Sequence, residues 1–331
     1  MKKTFYVFSS GAFRRRDNTL YFEIDDGKKR FIPVKDTAEI AVFSEVDLNK
    51  RFLEFLSQHE IILHYYNYYG YYMGSFYPRE HLNSGYMILK QAEHYLDQDK
   101  RMEIARCIVE GALKNILRVL KYYQSRNKDV AMSIANIKKF LPNLKDCHDT
   151  LSLMAIEGNA RGYYYQAFDR IIEQEEFKFE TRTRRPPRNN LNALISFGNM
   201  MLYNLCLSET YRTHLDPRIG FLHATNMRRF TLNLDVSEIF KPIIIDRLIF
   251  SLLGKRMLTA KDFEKGTGGL MMKERAKLRF VQGFEEKIRT TINHREIGRP
   301  VSYRRLIRLE LYKLQKHLMG EKDYSPFVGT W

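Results

Sequence analysis

The chain is short of the groups that build crosslinked or membrane-bound proteins. Its 331 residues carry only three cysteines, Cys107, Cys147 and Cys206. They are far apart and odd in number, so they read as buried or free thiols in a reducing cytoplasm rather than as a disulfide framework or a zinc site. Long apolar runs are missing too. The most apolar segment, Ile243 to Leu253, is interrupted by Asp246 and Arg247 and is shorter than the roughly 20 residues a bilayer span needs. Met1 to Ser10 lacks the apolar stretch of a signal peptide, and no basic amphipathic anchor or internal repeat is found. The expectation is a cytoplasmic protein with no membrane partner. Acidic residues are the third shortage. There are 39 against 55 Lys and Arg, a net charge of +16 and a pI of about 9.6. That surplus attracts polyanions and makes nucleic acid the leading partner.

What is present is enough apolar material, 44% of residues, to fill ordinary cores, and enough length for about two domains. The pattern shifts near Gly85. Before it, Thr4 to Ser9, Thr19 to Ile24, Arg30 to Val34, Glu39 to Phe43, Ile61 to Tyr65 and Tyr71 to Phe76 read as strands. Asp25-Asp26-Gly27 is a hairpin turn signal. Asn49 to Gln58 switches to helical spacing. After Gly85 the periodicity is helical, most clearly over Tyr86 to Asp97, Met102 to Ser125, Thr150 to Glu176, Asn190 to Tyr211, Val236 to Leu253 and Ser302 to Met319. Phe177 to Asn190 is a basic loop with two prolines, and Gly266 to Gly269 reads as a flexible break. The expectation is an α+β chain: a β-rich domain over 1–84 and an all-α domain over 85–331.

Four segments carry the chemistry. His64 to Tyr77 is dense in tyrosine and reads as packing or self-association ahead of base stacking. Glu157 lies among apolar residues in mid-helix, where a carboxylate needs a partner or a metal. Gly158 beside it lets a ligand or backbone come close, and Arg161 is one turn away, so a simple ion pair is the plain alternative. His223 follows a turn set by Pro217 and Gly220 and is either a core histidine or a ligand. Asp235 and Glu238 share a helix face. They are either acids of a site or a variant capping box, with Asp235 as N-cap and Glu238 at the third position. Two carboxylates and one imidazole suit Mg²⁺ or Mn²⁺, with the imidazole favouring Mn²⁺. Arg182, Arg184, Arg185 and Arg188 form the densest basic run, and Arg228 and Arg229 follow His223 closely. They and Arg161 are candidate phosphate contacts.

The segments I-E-G-N-A-R-G at Ile156 to Gly162, G-F-L-H at Gly220 to His223 and L-D-V-S-E-I-F-K-P-I-I-I-D-R at Leu234 to Arg247 resemble the CRISPR-associated integrase family, the catalytic subunit of spacer acquisition. E-V-D-L-N-K at Glu45 to Lys50 and Y-Y-M-G-S-F-Y-P-R at Tyr71 to Arg79 fit as well. The resemblance implies a β-sandwich-like N-terminal domain used in homodimerisation and a helical catalytic domain. It implies Glu157, His223 and Glu238 as metal ligands and Asp235 as a supporting acid. It implies double-stranded and branched DNA as substrate and a small ferredoxin-like partner subunit. The implied reaction is attack of a DNA 3′-hydroxyl on a phosphodiester at a repeat edge, with water attack appearing as endonuclease activity. The alternative is a DNA-binding scaffold without chemistry. A tyrosine recombinase finds no assembled Arg/His/Tyr constellation among the 21 tyrosines.

Overall fold

Half-buried strands and nearly all-round apolar helices separate along the chain, and the structure follows that division. The computed structural model describes residues 2–329 except 68, 69, 80, 81, 83, 185, 226–229, 267, 268, 295 and 296. The chain forms two units, Met1–His81 and Leu82–Trp331.

The first unit contains β1 (Lys3–Val7), β2 (Gly11–Arg16), β3 (Thr19–Ile24), β4 (Lys29–Ile32), β5 (Thr37–Val42), β6 (Val46–Asp47), α1 (Lys50–Gln58), β7 (Ile62–Tyr66) and β8 (Tyr72–Phe76). These make two four-stranded sheets, ordered β1-β5-β7-β8 and β4-β3-β2-β6. Phe13 and Phe22 from one sheet, Ile40 and Val42 from the other, and Phe52 and Phe55 from α1 share one core. The Phe13 and Phe52 rings stack at 4.6 Å. The tyrosine-rich run becomes the antiparallel pair of β7 and β8. There His64 is buried, its Nδ1 lies 2.5 Å from Ser75 Oγ, and Tyr66 stacks on Phe43 at 4.1 Å. Strand β2, G-A-F-R-R-R, escapes the sequence reading because Phe13 is its one large apolar side chain. Its arginines lie on half-buried and exposed positions, as a strand with one wet face allows.

The second unit contains α2 (Gly85–Leu96), α3 (Gln98–Gln124), α4 (Ala131–Lys138), α5 (Phe140–Asn143), α6 (Thr150–Ile172), α7 (Asn190–Thr210), α8 (Leu232–Lys241), α9 (Arg247–Gly254), β9 (Phe263–Gly266), β10 (Gly269–Met272), α10 (Glu274–Arg289), β11 (Thr291–His294), β12 (Arg299–Ser302) and α11 (Tyr303–Leu318). Helix α7 is buried along nearly all its faces, the pattern of a central helix. Helix α8 packs against α7 and α3, and α3 packs against α6. A π-helical turn, Pro242–Asp246, joins α8 to α9. Pro242 has no N–H for the helical ladder, and a widened turn is a local way to accommodate that loss. None of the described helices is long and apolar enough to cross a membrane.

Three expectations need correction. The second unit is mostly helical but not all-α, because β9 pairs with β10 and β11 with β12. The helix expected to run to Glu176 stops at Ile172, where Glu173 takes a left-handed conformation with φ 53°. The Gly266–Gly269 stretch joins the two strands of a hairpin rather than breaking two helices. Gly269 has φ +106°, and a Cβ there would lie 2.3 Å from Pro186 Cβ. Leu270 N–H donates to Pro187 C=O at 3.1 Å, so the hairpin clasps the basic loop. Gly269 thus serves close approach.

Gly158, by contrast, has no heavy atom within 4 Å of the place a Cβ would take. Gly269→Ala should lower stability by roughly 1–3 kcal/mol, whereas Gly158→Ala should raise it by roughly 0.5–1 kcal/mol through helix propensity. Urea unfolding of the two variants checks this. Equal effects would mean that the clasp does not constrain Gly269.

Candidate metal centre

Helix α6 is started by Asp149, whose carboxylate accepts the Ser152 N–H at 2.7 Å. Along it, Glu157 and Arg161 fall one turn apart and on one side. Helix α8 supplies Asp235, Glu238 and Lys241 at successive three-residue steps on another face. The two helices meet through charge. Arg161 Nε donates to Glu157 Oε1, its other guanidinium arm donates to Glu238 Oε2, and Lys241 Nζ donates to Glu238 Oε1. The plain ion-pair alternative for Glu157 and Arg161 is therefore present, and it extends to a second glutamate 77 residues further on.

Arg161, Glu238 and Lys241 are buried, and the Glu157 side chain is 19% exposed. Burial drives the Glu157 carboxyl above its ordinary range, since the Arg161 guanidinium offsets only part of the desolvation. Burial opposes ionisation of Glu238 as well. There Lys241, Arg161 and His223 together prevail and hold the carboxyl well below the usual range. The two acids are thus pushed apart in proton affinity. Burial works against the Lys241 ammonium and the Arg161 guanidinium, yet the glutamates raise both.

His223 is positioned by backbone. Asp235 is fully buried and accepts the N–H groups of Phe221 at 2.5 Å, Leu222 at 3.0 Å and His223 at 3.0 Å. Its Oδ1 also lies 2.7 Å from His223 Nδ1. Gly220 makes the approach possible, because a Cβ there would lie 2.8 Å from Asp235 Oδ2. With Nδ1 directed at Asp235, Nε2 is the nitrogen left for a ligand. Burial lowers the proton affinity of His223, but the Asp235 hydrogen bond and charge outweigh it and raise the pKa. His223 and Glu238 each alter the other's ionisation, so the imidazole stands within electrostatic range of the glutamate, and the hydrogen bonds of His223 go to Asp235. The capping-box alternative does not form. Helix α8 starts at Leu232 after Thr231, without a side-chain cap, and Asp235 is spent on the preceding loop.

Two members of the cluster escaped the sequence reading. Lys241 was hidden in F-K-P, although it stands three residues from Glu238. Asp246 lies in the π turn, only 1% exposed, and its Oδ2 has no hydrogen-bond partner among the described residues. Burial pushes its carboxyl up to about 7 against the pull of Arg161. A carboxylate in P-I-I-I-D amid buried isoleucines is itself a signal, since such a group needs a partner.

The candidate DNA contacts divide. Arg161 is buried and bonded to Glu157 and Glu238, so it is no phosphate contact in this arrangement, and Arg182 is committed internally, donating to Asn192 Oδ1 at 2.9 Å and Ser196 Oγ at 3.1 Å. Arg184 and Arg188 are exposed. Arg185, Arg228 and Arg229 lie outside the described residues. Two carboxylates and an imidazole nitrogen are donor types that suit a hard or borderline divalent cation such as Mg²⁺ or Mn²⁺, but the donor atoms of Glu157, His223 and Glu238 do not all lie within 4.8 Å of one another here, and Arg161 stands between the two glutamates.

The family model described as CRISPR associated protein Cas1 matches residues 5–286. A CRISPR-associated endonuclease Cas1 of Thermodesulfovibrio yellowstonii is 59% identical over 331 residues, covering 100% of both chains. The solved structure of a CAS1 protein from Thermotoga maritima superposes with a TM-score of 0.89 at 47% identity, covering 98% of this chain and 99% of that one. A casposase bound to integration product gives a TM-score of 0.89 at 20% identity over 99% of this chain and 93% of that one, a likeness of fold.

The raised Asp246 carboxyl makes a pH-dependent prediction. A folded-state pKa of about 7 lies above that of an unfolded aspartate, near 4. The folded chain therefore keeps a proton that the unfolded chain sheds, and stability falls as pH rises from about 4 to about 7. Asp246→Asn removes that loss. It should match the parent in stability near pH 4 and exceed it by a few kcal/mol at pH 8, at about 1.4 kcal/mol per pKa unit. Denaturant midpoints at the two pH values test this, and a variant less stable than the parent at pH 8 would contradict it.

Proposed function

The chain belongs to the CRISPR-associated Cas1 family, and from that premise we propose that it is a metal-dependent DNA integrase and endonuclease of CRISPR adaptation. In this reading it inserts short DNA fragments into a repeat array. What supports the site assignment is the Arg161 bridge between Glu157 and Glu238, beside an Asp235-fixed His223 that interacts electrostatically with Glu238. The reaction is transesterification: a fragment 3′-hydroxyl, losing its proton, bonds to a phosphorus at the repeat edge, and the P–O bond to the neighbouring 3′-oxygen of that strand breaks, its oxygen leaving as a protonated 3′-hydroxyl. Glu157, Glu238 and His223 would hold Mg²⁺ or Mn²⁺, which supplies charge stabilisation at the phosphate and a more acidic hydroxyl or water.

The chain's own groups do the rest. Asp235 holds the imidazole in one tautomer and one orientation. Lys241 keeps Glu238 ionised, so a charged oxygen is ready at neutral pH. Exposed Arg184 and Arg188 attract the DNA backbone. The reading includes a homodimer formed through the N-terminal unit, a small ferredoxin-like partner subunit, double-stranded and branched DNA as substrates, and a cytoplasmic setting.

The test is incubation with a 3′-hydroxyl DNA fragment and a supercoiled plasmid bearing a repeat, in Mn²⁺ or Mg²⁺. Glu157→Gln and His223→Ala should each abolish strand transfer, with DNA affinity held within about threefold. Loss of His223 should also weaken metal binding by about tenfold or more. Parent protein that binds the DNA and yields no joined product under any metal would leave the non-catalytic scaffold standing instead.

The arginines should separate by role. Arg184→Ala with Arg188→Ala should weaken DNA binding and reduce the slope of log affinity against log salt by about 0.9 for each phosphate no longer neutralised. Arg182→Ala should leave that slope alone and cost about 1–2 kcal/mol of stability, since it removes hydrogen bonds to Asn192 and Ser196. Salt titrations and melting curves of the same preparations distinguish the two classes.

A further inference from the structure

We propose that Arg161 is an exchangeable counter-ion: a divalent cation taken up by Glu157, Glu238 and His223 displaces its guanidinium from the two glutamates, and Asp246 receives it. The inference rests on the reading of those three residues as metal ligands. Two independent observations point to it. First, the Arg161 fork holds one oxygen of Glu157 and one of Glu238, while Lys241 holds the second oxygen of Glu238. Both oxygens of Glu238 are therefore already bonded to cations. Second, Asp246 is buried, and its Oδ2 has no hydrogen-bond partner among the described residues. It lies within electrostatic reach of Arg161, with the Tyr164 hydroxyl close by.

Charge decides between exchange and coexistence. Counted in the ordinary ionised forms of their side chains, the ion-paired Glu157, Glu238 and Asp235 bring three negative charges, and Arg161 and Lys241 bring two positive ones. A divalent cation added with nothing else changed leaves this desolvated cluster net positive, an arrangement a low-dielectric interior penalises. Moving Arg161 onto an ionised Asp246 restores neutrality over the whole group. It also gives the orphaned Oδ2 a donor and frees the glutamate oxygens for the metal. An arginine suits the first position because its planar fork spans two carboxylates, which a single ammonium does not.

The experiment uses the full-length chain, stripped with EDTA and dialysed, with Mn²⁺ alone titrated by calorimetry. Arg161→Gln should bind Mn²⁺ about tenfold or more tighter than the parent, because the competing cation is gone. Arg161→Lys should fall between them, and this variant serves if the glutamine form does not fold. Asp246→Asn should bind Mn²⁺ about tenfold more weakly, because the displaced guanidinium loses its receiving group. In the Arg161→Gln background the Asp246→Asn effect should shrink to within about twofold, the coupling expected of two groups acting as one device. The exchange is overturned if Arg161→Gln and Arg161→Lys bind Mn²⁺ no tighter than the parent, or if Asp246→Asn has the same effect in both backgrounds. Glu157→Gln separates the two levels of inference. Unchanged Mn²⁺ binding in that variant overturns the metal-site reading and the exchange together. Lost binding there, with Arg161→Gln and Arg161→Lys like the parent, overturns the exchange alone.

Discussion

A buried carboxylate needs cations or hydrogen-bond donors beside it, and the meeting of α6 and α8 is built around that demand. Leaving even one of the Glu157, Glu238 and Asp235 charges uncompensated in the interior would cost several kcal/mol. The protein answers with side chains drawn from two helices. Arg161 crosses from α6 to α8, and Lys241 closes back onto Glu238 from within α8. A salt bridge of this kind is weak evidence for stability, because desolvation consumes much of the attraction. Its consequence here is registry: one guanidinium reaches both glutamates only where Glu157 on α6 faces Glu238 on α8.

Asp235 solves the same problem differently. It has no side-chain cation of its own unless His223 is protonated, and it takes three successive backbone N–H groups instead. A carboxylate in such a nest is satisfied by fixed dipoles. The loop from 220 to 223 is thereby wrapped onto α8, and the imidazole comes with it. One acid thus sets a loop, a tautomer and a direction, whereas Glu238 one turn later is left facing the cations. The division of labour follows from which polar groups reach each acid, since both stand on the same helix.

The parts legible in the sequence were those with a local rule. Glu157 among apolar residues, with Arg161 one turn on, announced an ion pair or a ligand, and both features rest on helical spacing. The strands of the first unit stood out where aromatic and β-branched residues alternate. Strand β2 did not, because its single inward phenylalanine carries too little pattern. The hairpin of β9 and β10 was missed because Gly269 is there for close approach to Pro186, and a meeting of residues so distant in the chain has no local signature. Asp235 looked like a cap because spacing alone cannot say where a carboxylate turns. Lys241 and Asp246 belong to the cluster only through the fold, and Asp246 also depends on a π turn that no periodicity marks.

Access to the cluster is shaped by two glycines. Gly158 and Gly162 are spaced one turn apart on α6, each next in sequence to a member of the ionic cluster, and neither has a heavy atom within 4 Å of its Cβ position. Glycine in a helix interior costs roughly 1 kcal/mol relative to alanine, and close packing does not explain it at either position. What the two glycines leave is a strip of helix without side chains beside Glu157 and Arg161. Glu157 is also the more exposed of the two glutamates, at 19% against 7% for the Glu238 side chain. The strip leaves Glu157 beside a stretch of helix that carries no side-chain bulk. The helix gives up stability there, and the opening it gains lies beside the carboxylate whose proton affinity is raised rather than lowered.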